Sequence, residues 1–317
     1  MFHFMSRSSV ASAVVFAAAL IRVPLLFAAD EPLELVPGGA DVVAVVQVGA
    51  IFASPAFEKA TAEFPDLKKD VAKPLGEHTK LKFNQIEKMF VAGNTESMDF
   101  VLVMTMKKPV KASDVATDDD VAVEEIGDYE LFVTKEDKGF VLIDENVVAI
   151  GPAKSLRAVL KRDAEAELDE DLEAAWNEVE EDSDLYVVAK LDGLMKKAAG
   201  GLPPGFPLQA EQLEKLHTAA LLVDAETKLP AWLDVECEDA ATAQQVKQVI
   251  DAISKAMVDQ GQVPPPVAKI LSTMKTSVEE NYLSLEAELG IDMILGFVKQ
   301  QQAAADAAPA PAPAPVP

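Results

Sequence analysis

The sequence predicts an α+β protein made of two similar units, each an antiparallel sheet with helices packed on one face. Three observations predict this class. The second half of the chain repeats the order of segments in the first half. Short polar turns join consecutive apolar strands, which favours antiparallel pairing. Apolar residues at helical spacing follow several of the strands. With 317 residues and 50% apolar content, the chain can bury one large core or two smaller ones.

The internal repeat consists of four pairs of segments that occur in the same order in both halves. The offset between partners varies between 127 and 143 residues, as loops of different length would produce. A period of this length indicates two domain-sized units rather than a solenoid. The four pairs are Asp41–Val48 with Asp184–Leu191, Gln85–Ala92 with Gln212–Ala219, Val101–Met106 with Trp232–Cys237, and Gly151, Leu156 and Val159 with Gly290, Leu295 and Val298.

Residues 1–29 have the features of a signal peptide. Arg7 supplies a positive start, Val10–Ile21 is an apolar run of suitable length, and Leu26–Ala28 resembles a cleavage site. Arg22 interrupts the apolar stretch, so an uncleaved membrane anchor is the alternative, although it would place Arg22 within the hydrocarbon. No later segment is long and apolar enough to span a membrane. The sequence therefore predicts an extracytoplasmic protein, in the periplasm, in the cell envelope or secreted, without stable membrane insertion after cleavage.

The first α+β unit is predicted over residues 30–162. Its first strand is Asp41–Val48, and Ser54 followed by Pro55 has the pattern of a helix N-cap and first turn. Alternating apolar residues and intervening turns predict the later strands, and Gly151 with Pro152 opens a helix. These later strands are Lys88–Ala92, Phe100–Met106, Glu130–Thr134, Phe140–Ile143 and Val147–Ile150.

An acidic amphipathic connecting helix is predicted over residues 163–183. Twelve carboxylates lie between Asp163 and Asp184, while Leu168, Leu172, Trp176 and Val179 recur at helical spacing. A calcium loop is the alternative, since four acidic residues occupy its ligand positions. However, alanine replaces the glycine that the tight turn of such a loop requires, and the helical pattern continues through it. The four candidate ligands are Asp169, Asp171, Glu173 and Glu180, and the alanine is Ala174.

The second α+β unit is predicted over residues 184–300, followed by a disordered Ala/Pro tail over residues 301–317. Asp239 can cap a long helix with an apolar stripe. A Gly- and Pro-rich loop, Gly200–Pro207, lacks the Lys-Ser/Thr of a phosphate-binding loop. The remaining predicted elements are a helix over Val267–Met274, a strand over Tyr282–Leu289 and a final helix over Ile291–Lys299.

The charge and the rare residue types restrict the chemistry. A formal charge of -25 disfavours nucleic acid and anionic lipid as partners and leaves loose calcium buffering as a minor hypothesis. Cys237 is the only cysteine, so no intramolecular disulfide can form. It alternates with Leu233 and Val235 on one face of a strand, which favours a buried apolar role over a thiol nucleophile.

The histidines give no metal-ligand pattern, and no hydrolase, metalloprotease, P-loop or dinucleotide motif is present. A Ser-His-Asp triad stays open because its members can be distant in sequence, but only His78 and His217 follow the signal. The repeat aligns His217 with Phe90, which favours a packing position. The sequence therefore identifies no catalytic, cofactor-binding or metal-binding residue.

Two stretches carry a resemblance. The first stretch consists of Val36–Asp41 before a Val-rich strand, followed by Ser54 and Pro55 at a helix start. The second is the strand, turn and helix of Asp144–Leu160. Both resemble uncharacterised secreted bacterial proteins with duplicated α+β units. The resemblance implies secretion and this fold plan, and it supplies no catalytic residues. We therefore expect a non-catalytic binding or structural protein with an envelope or extracellular protein or polymer as partner, recognised at sheet edges or at Gly200–Pro207. The alternative is a hydrolase with its site in the cleft between the units.

Overall fold

A computed structural model of the chain describes residues 32–69, 75, 79–116, 121–162, 168–177, 183–192, 194–195, 210–225, 228–261, 263–296 and 299. The predicted signal peptide, the Gly200–Pro207 loop and the Ala/Pro tail lie outside these residues. The strands are β1 Val42–Val46, β2 Ile86–Asn94, β3 Asp99–Met106, β4 Ala122–Ile126, β5 Tyr129–Val133, β6 Lys138–Asp144, β7 Val147–Pro152, β8 Leu185–Lys190, β9 Leu216–Val223, β10 Pro230–Cys237, β11 Lys275–Glu279 and β12 Tyr282–Glu288.

One antiparallel sheet contains all twelve strands, in the order β11-β12-β10-β9-β8-β1-β2-β3-β7-β6-β5-β4. The first half of the chain (residues 32–162) and the second half (residues 183–299) meet where β1 pairs with β8, with Ala44 opposite Val187. The sequence analysis assigned a separate sheet to each half, and this part of the prediction is wrong. The joining strands are apolar on both faces, so pairing them buries side chains that two separate edges would expose.

The helices are α1 Val48–Ala53, α2 Pro55–Glu63, α3 Ala112–Val115, α4 Ala153–Leu160, α5 Glu170–Asn177, α6 Ala210–Leu213, α7 Ala240–Asp259 and α8 Pro265–Thr273. The N-cap residues predicted from the sequence at the starts of α2 and α7 form the expected hydrogen bonds. Ser54 Oγ accepts the Phe57 N–H at 3.0 Å, and an Asp239 carboxylate oxygen accepts the Thr242 N–H at 2.6 Å. Thr242 hydrogen bonding lowers the pKa of Asp239, which keeps this cap charged.

Face A is the side of the sheet that carries Val43 and Val45. In the first half it is covered by α4 and by the 3-10 turn Pro32–Leu35, and at the junction by α5. The apolar side chains that α4 and α5 bury there belong to the largest core cluster. They are Leu156, Val159, Leu172, Ala175 and Trp176.

Face B is the opposite side, and it carries α1 and α3 in the first half and α7 in the second. Val115 of α3 packs on Met104 and Phe140, whereas Ala243 of α7 belongs to a separate cluster with Val235. Helices therefore lie on both faces of the first half. The second half also has helices on both faces, since α5 covers β8 and part of β9 on face A and α7 packs on face B. The prediction of helices on one face of each unit is therefore wrong.

The final helical segment, residues 291–296, packs against the first half. Its Ile291 and Leu295 share a cluster with Ile51 of α1 and Phe57 of α2. The Lys59 ammonium lies 2.6 Å from the Asp292 carboxylate across this contact. The segment therefore connects the end of the described chain to the first half and does not cover face A of its own half.

Candidate binding groove

Face A of the second half forms an open groove. The α5 helix covers β8 and the adjacent side of β9, and within the described residues no helix covers the sheet beyond it, across β9, β10, β12 and β11. The groove has a volume of about 750 Å³. Its lining residues are Ala175, Ser183, Thr218, Ala220, Leu222, Asp224, Trp232, Asp234, Glu236, Glu279, Glu280, Tyr282 and Ser284.

The register of the strands sets the groove floor. Trp232, Asp234 and Glu236 alternate along β10 with Leu233, Val235 and Cys237, which point to face B. On the neighbouring β12, Ser284 lies opposite Asp234 and Tyr282 lies opposite Glu236. The floor therefore presents polar and aromatic side chains in place of the aliphatic residues that a helix would cover. All five of these side chains are half-buried.

The polar groups of the floor are held in position. Thr218, 2% exposed, donates its hydroxyl hydrogen to a Glu236 carboxylate oxygen at 3.0 Å. The Asn281 amide approaches the other Glu236 oxygen at 3.4 Å and donates to the Cys237 carbonyl at 3.1 Å. These hydrogen bonds therefore fix the Glu236 side chain on the groove floor.

The groove is strongly acidic. Among the residues that the structure describes, five carboxylates line it and none of the lining residues is Lys or Arg. Lys275 of β11 lies on the same face, but its ammonium is 2.8 Å from the Glu286 carboxylate and is neutralised there. The five carboxylates belong to Asp224, Asp234, Glu236, Glu279 and Glu280.

A smaller depression of about 380 Å³ lies in the first half, beside the turn between β2 and β3. Pro37, Gly38 and Gly39 form one side, and Asp99 and Lys154 supply one charge of each sign. Among the described residues, its lining has one charge of each sign and no aromatic residue, so it offers fewer groups for recognising a ligand than the groove does.

Cys237 lies on face B beneath α7, where it is 1% exposed. Burial raises the pKa of its thiol to about 11, and the carboxylates of Asp239 and Glu236 act in the same direction. The thiol therefore stays protonated at neutral pH, in agreement with an apolar packing role.

The remaining sequence candidates do not converge on one site. The His217 side chain is not among the groove residues, and its carbonyl accepts the Leu191 N–H at 2.8 Å. His78 and Glu180 lie outside the described residues. Asp169 lies 2.5 Å from the Lys190 ammonium, which lowers the pKa of Asp169, and α5 begins at the next residue. The described part of the chain contains no group of three or more acidic, His or Cys side chains that could hold a metal ion.

The groove was missed by the sequence analysis, although its pattern was visible. The alternation along β10 separates a polar face from an apolar one. Such a polar face is normally a solvated surface. It becomes a groove because no helix among the described residues covers it and because the neighbouring strand β12 also presents polar side chains. The sequence analysis proposed sheet edges as binding sites; the edges of the observed sheet are β4 and β11, and the groove reaches the end of β11 at Glu279.

Comparison with known proteins gives a limited result. No protein-family model matches the sequence, and no curated protein matches it at a significant level. Among solved structures, crystal form III of TP0453 is similar with a TM-score of 0.48 and 13% identity, covering 86% of this chain and 100% of that one. Crystal form I of TP0453 has a TM-score of 0.47 and 14% identity, covering 86% and 98%. At this identity the likeness concerns only the course of the backbone.

One further observation concerns membranes. Within the described residues, none of the helices combines the length and the apolar content needed to cross a bilayer.

Proposed function

We propose that this chain is a non-catalytic, secreted or envelope-associated binding protein, built from two duplicated units, and that its groove on face A is the binding surface. One observation carries the proposal. The strands of the first half bury face A beneath α4, whereas the related strands of the second half leave it open, polar and aromatic.

The pairing registers support the duplication. If Val42 is equivalent to Leu185, then their partners on the next strand, Gly93 and Val223, are equivalent as well. Gly93 in turn lies opposite Phe100, and Val223 lies opposite Ala231. This step makes Val101 equivalent to Trp232, which is the third sequence match. The first and third sequence matches therefore agree with each other, and the agreement runs through the second strand of each half, β2 and β9, which neither match contains.

A shared hydrogen bond gives independent support. An Asp41 carboxylate oxygen accepts the Thr95 N–H at 2.8 Å, and an Asp184 carboxylate oxygen accepts the Ala225 N–H at 3.0 Å. The same register makes Thr95 equivalent to Ala225. Both aspartates precede the first strand of their half and fix the residue that follows the second strand.

The registers correct the other two sequence matches. They align Phe90 with Ala220 rather than with His217, a shift of three residues. They align Gly151 with Glu286 rather than with Gly290, a shift of four. Phe90 is therefore not the counterpart of His217, and the alignment no longer favours a packing position for His217. The two sequence matches were displaced because apolar residues are common throughout this chain and short loops permit alternative alignments.

The two halves differ where the groove lies. On face A of the first half, Val101, Val103 and Ala149 are at most 2% exposed. Their counterparts in the second half are Trp232, Asp234 and Ser284, all half-buried on the groove floor. Replacing aliphatic residues with one aromatic and two polar residues at three neighbouring, half-buried positions reduces apolar burial in the core. Such an exchange is expected where a copied unit acquires a binding surface.

Secretion rests on the sequence alone. Residues 1–29 have the pattern of a signal peptide, and the resemblance to secreted bacterial proteins has the same implication. Removal of Arg7 and Arg22 would leave 26 basic and 53 acidic residues. Amino-terminal sequencing of the protein from its own cells is expected to begin at Asp30, whereas an intact Met1 end would favour the membrane-anchor alternative.

The hydrolase alternative has weaker support. The two halves join through the β1–β8 ladder, where Val43, Val45 and Val188 pack against Trp176 of α5. Within the described residues, no histidine belongs to this apolar cluster. The acidic groove lies beside the junction, and His217 is not among its lining residues.

Alanine substitution of Asp184 tests the duplicated hydrogen bond. Asp184 is 3% exposed, so Asp184→Ala leaves the buried Ala225 N–H without this partner and should cost about 1.5–3 kcal/mol of stability. Asp41→Ala should cost a similar amount, since two Thr95 donors lose their acceptor. Urea unfolding measures both. Glu125→Ala, at an exposed position, is the control with the same charge change.

Equal stability of Asp184→Ala and wild type would contradict the structural role of this bond. A cost confined to only one of the two aspartates would contradict their equivalence.

Site-specific photocrosslinking tests the groove as the binding surface. A photoreactive amino acid at Ser284 should give adducts in extracts of the cell envelope, because this residue lies on the groove floor. The same amino acid at Glu130, exposed on β5, is the matched control. Identical adduct patterns at the two positions, or none at Ser284, would argue against the groove.

A further inference from the structure

We propose that the groove binds an extended segment of a partner protein that carries several lysine or arginine side chains. This inference rests on the proposed function and adds the chemistry of the partner. It follows from the charge of the groove, from its aromatic residues and from its shape.

Charge complementarity selects a cationic partner. In the part of the chain that the structure describes, five carboxylates line the groove without a basic lining residue, and Lys275, on the same face, is paired with Glu286. The whole chain has a formal charge of -25, so a basic segment would also be attracted before contact. Nucleic acid and anionic lipid would be repelled by the same field.

The aromatic residues favour organic cations over metal ions. Trp232 lies next to Asp234 on the same face of β10, with Leu222 opposite it on β9. Lysine and arginine combine an apolar stem with a cationic end, so they can pack along the ring while the charge reaches the carboxylate. A metal ion would instead need several converging ligands, and the described residues contain no such group.

The shape of the groove favours an extended segment. The floor crosses four strands, from Thr218 on β9 to Glu279 on β11, while Ala175 of α5 borders one side. Acidic residues occur along the whole floor, from Asp224 to Glu280. Exposed ion pairs contribute only about 0–1 kcal/mol each, so useful affinity requires several cationic side chains to bind together.

The experiment uses Trp232 as its reporter. The chain contains two tryptophans, so a Trp176→Phe variant leaves Trp232 as the sole tryptophan and keeps an aromatic ring in the core. Excitation at a wavelength that tyrosine does not absorb then reports on Trp232 alone. A synthetic nine-residue peptide of alternating alanine and lysine is titrated into this full-length variant at physiological salt. We expect a saturable change in Trp232 fluorescence, and no change with the matched alanine–glutamate peptide.

Matched charge variants separate the groove from the overall charge. The double variant Asp234→Asn with Glu236→Gln should weaken peptide binding by about tenfold or more. The double variant Glu125→Gln with Glu130→Gln removes the same charge from exposed positions of the first half and should change affinity less than about twofold. Circular dichroism melts confirm that each variant is folded.

Three results would overturn the proposal. They are no saturable binding of the alternating peptide, equal weakening by the two double variants, and spermine binding as tightly as the peptide, which would assign the groove to small polyamines. Specific adducts at Ser284 combined with no peptide binding would leave the groove as a binding surface and reject only the basic partner.

Discussion

Val45→Asp should unfold both halves of the protein together. Val45 is fully buried on face A of β1, where it lies opposite Phe90 on one side and Tyr186 on the other. The substitution removes apolar burial of about 1.5–3 kcal/mol and adds the desolvation of a carboxyl group, which costs several kcal/mol more. This sum approaches the total stability of about 5–15 kcal/mol that is typical of folded proteins.

The measurement is urea unfolding followed by circular dichroism and, in the Trp176→Phe background, by Trp232 fluorescence. Both signals should be lost at the same, much lower, urea concentration. Val123→Asp makes the same chemical change on the edge strand β4, where the side chain is 53% exposed, and should cost less than about 1 kcal/mol. Retention of the native Trp232 signal after the first half has unfolded would show two independent units instead of one continuous sheet.

Trp176→Ala should have the next largest effect, at about 3–5 kcal/mol of lost stability. Trp176 is 8% exposed and is the largest side chain with which α5 contacts the sheet. Its ring centroid lies 6.1 Å from that of Phe90 in the first half and 5.0 Å from that of Tyr186 in the second. Its removal leaves a cavity over the β1–β8 junction.

The control for this substitution is Trp232→Ala, in which the other tryptophan of the chain is truncated. Trp232 is half-buried on the open groove floor, so its loss creates no closed cavity and should cost only about 1 kcal/mol. Thermal unfolding followed by circular dichroism compares the two variants. Similar losses would mean that α5 contributes little to the junction, or that face A of the second half is covered in solution.

Local sequence signals predicted most of the individual elements. Ser54 before Pro55, and Asp239 before an apolar stripe, marked the starts of α2 and α7, because capping depends on neighbouring residues only. The connecting helix was predicted over residues 163–183, and the described helix α5 spans Glu170–Asn177. Its Leu172 and Trp176 are buried, as the helical spacing indicated.

Other elements gave weaker signals. The edge strands β4 and β11 were not predicted, since Ala122–Ile126 buries only Ile126 and Lys275–Glu279 buries none of its side chains. Edge strands bury little surface, so their sequences carry little periodicity. Both strands are specified by their hairpin partners, β5 and β12, rather than by their own composition.

The sequence by itself determined the α+β class, most strands and helices, the acidic character and the burial of Cys237, because these depend on composition and on local spacing. Only the tertiary structure decided that β1 pairs with β8 to make one sheet, and that the final helical segment packs on α1 and α2. Because this segment packs elsewhere, no helix among the described residues covers face A of the second half beyond α5. Whether a polar strand face is plain surface or groove depends on contacts between residues far apart in the chain, and local patterns do not encode them.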